Sequence, residues 1–121
     1  VERPETVATA IRIGKPARGE QALQAAEESN GRIIAAADEQ ILTMQKALAT
    51  LEGIWVEPAS AAGLAGLAIE IMDGMLNPKG KRVVAICTGH GLKDPEIITK
   101  DMQKPLVVPP KLDALEEVIL A

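Results

Sequence analysis

The stretch Val83-Val84-Ala85-Ile86-Cys87-Thr88-Gly89-His90-Gly91 decides the fold class of this chain. A continuous apolar run ends in a hydroxyl residue, Thr88, and two of the next three residues are glycines. Such a run is typical of a strand in a parallel sheet covered on both faces. Ligands of open α/β sheets bind beyond the carboxyl ends of the strands. The stretch therefore predicts a buried strand over 83–88 with a candidate ligand site at Thr88. Alternatively, Thr88 only satisfies the main chain of a strand-to-helix turn.

The rest of the chain alternates between helical and extended patterns. A second apolar run, 32–37, predicts another buried strand. Helices are predicted over 5–13, over about 18–29, from an N-cap at Asp38 to Gly53, over 58–72, from Asp94, and along the stripe Leu112, Leu115 and Ile119. This order predicts an α/β layered domain with short, mainly parallel buried strands flanked by helices.

Composition excludes several classes of function. The net charge is −4 and the only aromatic residue is Trp55, so neither a basic track nor a stacking platform for nucleic acid is present. The longest apolar stretch, 59–72, is too short to span a membrane. The single cysteine, Cys87, fits a reducing compartment, and we expect a cytoplasmic protein. Cys87 and His90 are too few for a zinc site, so no metal is expected, and Cys87 is predicted to be a small core residue.

A second candidate site lies at Glu57-Pro58-Ala59-Ser60. Pro58 suits the first position of a helix, which places the Glu57 carboxylate at the helix start and Ser60 in the first turn. Trp55 gives this carboxylate an apolar neighbour. One interpretation puts Glu57 and Ser60 at a ligand pocket, and the other is helix-end electrostatics alone.

Three motifs together resemble the C-terminal part of the threonine synthase family. They are 3–14 (RPETVATAIRIG), 53–62 (GIWVEPASAA) and 88–95 (TGHGLKDP), and they occur in the family's order over nearly the whole chain. The third is the most specific, because related dehydratases usually carry a serine followed by glycines and an asparagine there.

The resemblance implies a fold-type-II pyridoxal-phosphate enzyme that converts O-phosphohomoserine and water to threonine and phosphate. By position in the motif, the Thr88 hydroxyl would face the pyridine nitrogen of the cofactor. Gly89 would let the backbone pass the ring, and Glu57 would lie close to the cofactor. The segment 6–14 would line the cleft. Lys93 would be a structural or turn residue.

The family's N-terminal half, which carries the lysine that bonds the cofactor and the Gly/Asn-rich phosphate loop, has no counterpart in this sequence. We therefore expect 1–121 to be the C-terminal portion of a homo-oligomeric enzyme, inactive alone and with no catalytic residue of its own. Two alternatives stay open. One is a fragment of another fold-type-II lyase such as threonine dehydratase, and the other is a non-catalytic α/β module that binds a partner chain.

Overall fold

The computed structural model describes residues 1–100 and 104–120 of the chain. These residues form five α-helices, α1 (Gly19–Glu28), α2 (Asp38–Glu52), α3 (Pro58–Met72), α4 (Glu96–Thr99) and α5 (Leu112–Ile119). Two 3₁₀ turns, Thr9–Ile11 and Gly91–Lys93, complete the regular structure of the described ranges.

Helices α2 and α3 pack against each other and form the centre of the fold. α2 ends at Gly53, whose φ of 67° lies in the left-handed region that favours glycine. A short connection then leads into α3, where Pro58 occupies the first turn as predicted. The core is built from small and branched side chains, with Ala8, Ile41, Val56, Ala61 and Ala65 fully buried.

The start of α2 differs from the prediction. The N-cap is Ala37, whose amide donates to the side chain of Gln40 at 2.8 Å, and Asp38 is the first helical residue. The Asp38 carboxylate instead accepts from the Thr6 hydroxyl at 2.5 Å and from the Val7 amide at 3.0 Å. The acidic residue therefore fastens the N-terminal segment onto α2 and does not cap its own helix.

The helix predicted near the N-terminus is reduced to the 3₁₀ turn Thr9–Ile11. The amides of Val7 and Ala8 donate to the side chains of Asp38 and Thr6, respectively. The first amides of an α-helix have no acceptor within the helix, so these bonds do not themselves prevent one from forming. The bonds of Thr6 and Val7 to Asp38 hold this segment against α2, and regular structure begins only at Thr9.

The predicted parallel strands are not formed by the described residues. Segments 32–37 and 83–88 carry no strand pairing, and the β pairing within 1–100 and 104–120 consists of a single antiparallel bridge between Val56 and His90. A strand needs a neighbour to take its main-chain hydrogen bonds, and neither segment finds one in this part of the chain. For the same reason Cys87, predicted to be in the core, is exposed.

Helix α3 has the predicted bounds, and its buried residues all lie between 58 and 66. The last residue, Met72, is exposed. Among the described residues, no helix combines the length and apolar character needed to cross a membrane.

Candidate functional site

Two main-chain hydrogen bonds join residues 55–57, which lead into α3, to residues 89–91, which follow Thr88. The Glu57 amide donates to the carbonyl oxygen of Gly89 at 3.0 Å, and the Gly91 amide donates to the carbonyl oxygen of Trp55 at 3.2 Å. The start of α3 is thereby held against the turn that follows Thr88. Two motifs about 30 residues apart in the sequence form one local structure.

Ser60 connects the two segments through its side chain. Its hydroxyl oxygen accepts from the Gly89 amide at 2.7 Å and from the Thr88 amide at 3.1 Å, and it lies 3.0 Å from the Thr88 hydroxyl oxygen. Ser60 is buried in the first turn of α3, whereas Thr88 is exposed. The buried Ser60 hydroxyl is therefore within hydrogen-bond distance of the exposed Thr88 hydroxyl.

Glu57 is the N-cap residue of α3 and is only 2% exposed. The ammonium of Lys93 lies 3.2 Å from Oε2 and 3.4 Å from Oε1 of Glu57. Among the described residues Oε2 accepts no hydrogen bond, and its contact with the ammonium is an ion pair. The Lys93 side chain is 59% exposed, and it covers a carboxylate that sits at the positive end of the helix dipole.

The two glycines of the turn are needed because the segments touch. A Cβ on residue 89 would overlap the Glu57 carboxylate, and a Cβ on residue 91 would overlap the Trp55 indole. The backbone comes close to other parts of the same chain at both positions, which only glycine permits.

The N-terminal segment reaches the far side of this turn. The Thr9 hydroxyl donates to the Asp94 carboxylate at 2.6 Å. The side chain of Arg12 donates through two nitrogens to the carbonyl oxygen of Thr6, at 2.9 and 2.6 Å. A cavity of about 470 Å³ lies between this segment and the turn, lined by Val7, Thr9, Arg12 and the residues 93–97. Three residues of the 6–14 segment, Val7, Thr9 and Arg12, therefore line a cavity of this chain.

Residues singled out in two separate motifs lie together in the structure. Thr88, Gly89 and Glu57 meet at the start of α3. Lys93, predicted to be a structural or turn residue, is the partner of Glu57, and this ion pair was not predicted from the sequence. The sequence contained a signal for this ion pair. A carboxylate in an apolar setting needs a cation, and Lys93 is the lysine of the 88–95 motif.

His90 plays a local role. The His90 Nδ1 accepts from the Leu92 amide at 3.1 Å and caps the 3₁₀ turn that follows it. In the portion of the chain that the structure describes, no cluster of three or more His, Cys, Asp or Glu residues could hold a metal ion.

The chain is similar over most of its length to threonine synthases. It is 50% identical over 115 residues to the threonine synthase of Mycobacterium leprae, which covers 95% of this chain and 31% of the relative. It is 50% identical over 118 residues to that of Methanosarcina acetivorans, covering 98% of this chain and 29% of the relative. It is 42% identical over 118 residues to that of Methanocaldococcus jannaschii, with the same two coverages.

These matches confirm the resemblance predicted from the three motifs. The chain spans about 30% of the length of the curated relatives it matches. The family model described as "Pyridoxal-phosphate dependent enzyme" matches residues 1–89, which include the whole of α3 and the Thr88–Gly89 turn. The chain belongs to the family of pyridoxal-phosphate dependent enzymes.

Proposed function

We propose that this chain is the C-terminal portion of a threonine synthase, an enzyme that converts O-phosphohomoserine and water to threonine and phosphate. One observation carries the proposal. The motifs 53–62 and 88–95, which made the resemblance specific, meet in space through the hydrogen bonds between Ser60 and the Thr88–Gly89 turn. The identity of 50% to relatives of that name supports the same activity.

The arrangement fits pyridoxal phosphate as the cofactor. Thr88 presents an exposed hydroxyl that can donate to a heterocyclic nitrogen. Beside it, the Glu57 carboxylate is fixed by Lys93 and by its place at the helix start. Gly89 contributes its main chain only, because Glu57 occupies the space of a side chain there. When bound, the cofactor supplies an electron sink for carbanions.

In this proposal, the residues of this chain orient the cofactor and adjust how strongly it withdraws electrons from a carbanion. A threonine hydroxyl is neutral, so Thr88 holds the ring nitrogen without imposing its protonation as an aspartate would. The Glu57 carboxylate, paired with Lys93, lies against Gly89, the residue that follows Thr88. In this proposal, the cofactor-bonding lysine and the phosphate loop lie in an N-terminal portion of the enzyme.

We further propose that segments 32–37 and 83–88 become the short, mainly parallel strands of the complete enzyme. The two segments border a groove of about 550 Å³ over α3, with Ile34 on one side and Val84 on the other. Val84 and Ile86 are 80% and 81% exposed. Exposed apolar side chains such as these favour burial against further protein. Main-chain groups without a strand partner favour pairing with strands of that protein.

The proposal also includes a small-molecule substrate, O-phosphohomoserine, a cytoplasmic location and a homo-oligomeric assembly. The dehydratase alternative gains no support, since the three relatives described above are threonine synthases. A non-catalytic partner-binding module would show neither cofactor binding nor turnover in the complete protein.

The test uses the polypeptide encoded by the whole reading frame that contains this chain, called the complete enzyme below. Purified with pyridoxal phosphate, it should release phosphate and threonine from O-phosphohomoserine in equal amounts. Threonine supplied as the substrate distinguishes the dehydratase, which would release ammonia. A reading frame without an N-terminal lysine motif, or a complete enzyme without turnover, would contradict the proposal.

A further inference from the structure

The number of hydrogen bonds at Ser60 determines the direction in which its own hydrogen points. A serine hydroxyl has one hydrogen to donate and two lone pairs that accept. The amides of Gly89 and Thr88 occupy both lone pairs, at 2.7 and 3.1 Å. The third contact, at 3.0 Å to the Thr88 hydroxyl oxygen, must therefore use the Ser60 hydrogen.

This arrangement fixes the role of the Thr88 hydroxyl as well. Because Ser60 has no lone pair left, Thr88 cannot donate its hydrogen to Ser60. Thr88 therefore accepts from Ser60, and its own hydrogen points away from the Ser60 oxygen. Thr88 is exposed while Ser60 is 4% exposed, and the Thr88 hydroxyl has no other side-chain or main-chain partner in the described part of the chain.

We infer that Ser60 is a positioning residue, which acts through Thr88 and turns the Thr88 hydroxyl into a donor directed at the ring nitrogen of the cofactor. The inference rests on the proposed function. A donor held in this direction suits an unprotonated ring nitrogen, since that nitrogen offers a lone pair in the plane of the ring. Without Ser60, the Thr88 hydroxyl would be free to rotate and the amides of the turn would lose their acceptor.

The test compares Ser60→Ala, Thr88→Val and the double variant in the complete enzyme. If Ser60 acts through Thr88, each single change should weaken pyridoxal-phosphate binding about ten-fold, which equals about 1.4 kcal/mol. The double variant should be no weaker than Thr88→Val alone. A double variant about a hundred-fold weaker would show independent effects and overturn the inference. Ser29→Ala, which removes an exposed helix-end hydroxyl, is the control and should bind normally.

A second readout does not depend on cofactor binding. Hydrogen exchange at the amides of Thr88 and Gly89 should accelerate in Ser60→Ala apoenzyme, while Thr88→Val should leave the Gly89 amide protected. Unchanged exchange in Ser60→Ala would overturn the inference. If that variant fails to fold, Ser60→Cys keeps nearly the same volume with a weak donor and acceptor, and the same changes are expected.

The two proposals fail in different ways. A wild-type complete enzyme that binds no pyridoxal phosphate contradicts the proposed function, and the inference falls with it. An enzyme that binds the cofactor but shows independent effects of Ser60 and Thr88 contradicts the inference alone. The absorbance spectrum of the bound cofactor adds a further check, because its pH dependence should change in Ser60→Ala and stay unchanged in Ser29→Ala.

Discussion

The carboxylate of Glu57 occupies the space in which a side chain on residue 89 would lie. The Glu57 amide also donates to the carbonyl oxygen of Gly89 at 3.0 Å, so these two residues are in contact through both main chain and side chain. The position of the buried carboxylate therefore depends on the absence of a side chain at residue 89.

Replacement of Gly89 by alanine should destabilise the protein. The new methyl group would overlap Glu57, and overpacking of this kind costs about 1–3 kcal/mol in the free energy of unfolding. Gly63→Ala is a matched control in the middle of α3, where an added methyl meets no atom within 4 Å. It should stabilise by about 0.5–1 kcal/mol, because alanine is the better helix former. Denaturant unfolding of both variants checks the pair, and equal stabilities would show that the contact is absent.

Removal of the Lys93 ammonium should leave the Glu57 carboxylate without its cation. An unsatisfied buried acceptor costs about 1–3 kcal/mol, and we expect the lower end because Lys93 is largely exposed. Lys93→Met should therefore lower the free energy of unfolding by about 1 kcal/mol. The added change Glu57→Gln should recover part of the loss, since the buried charge is then gone. Lys46→Met, at an exposed position on α2, is the control. Equal effects of the two lysine variants would mean that the ion pair contributes nothing.

The ends of helices could be predicted from the sequence where a local signal marks them. Helix α3 begins at Pro58 and is long and apolar, and α2 ends at Gly53 in the left-handed conformation. The predicted N-terminal helix is reduced to a 3₁₀ turn, and the segment is held instead by the Asp38 carboxylate, which lies 31 residues from Val7 in the sequence and accepts from its amide. No local pattern reports a partner at that distance.

The candidate site could be predicted in part. Thr88 and Glu57 could be singled out as candidates from their motifs, since each follows an apolar segment and precedes a turn or helix. The ion pair to Lys93 and the hydrogen bonds to Ser60 depend on the contact between two segments about 30 residues apart, which periodicity does not specify. The predicted strands are not formed in the described residues, because a sheet requires neighbouring strands that these residues do not provide.

The exposed apolar segment 83–88 should make the isolated chain self-associate or bind a hydrophobic dye. Ile86→Lys should reduce this dye binding, since it places a charge in the exposed segment. Met72→Lys is the control, because Met72 is equally exposed but ends α3. In the complete enzyme, Ile86→Lys should instead lower stability if the segment becomes a covered strand. A monodisperse isolated chain without dye binding would argue for an independent domain.

The isolated chain should bind pyridoxal phosphate weakly or not at all. In the proposed function it supplies the contact to the ring nitrogen, while the bonding lysine and the phosphate loop lie in the N-terminal portion of the enzyme. Titration followed by cofactor absorbance should show no specific, saturable signal. One molecule of cofactor bonded to one lysine of this chain, whether Lys93 or another, would contradict the assignment to the C-terminal portion.

The most direct test of the account is turnover of O-phosphohomoserine by Thr88 variants of the complete enzyme, with cofactor occupancy measured in parallel. Thr88→Val removes the hydroxyl with little change in volume, and an unpaired ring nitrogen costs about 1–3 kcal/mol, or about one to two decades in cofactor affinity or rate. Thr88→Ser keeps the hydroxyl and should keep much of the activity. Thr50→Val, which removes an exposed hydroxyl on α2, is the control and should behave like wild type. If Thr88→Val and Thr88→Ser both behave like the wild-type enzyme, Thr88 is only a turn residue and the proposed cofactor contact is wrong.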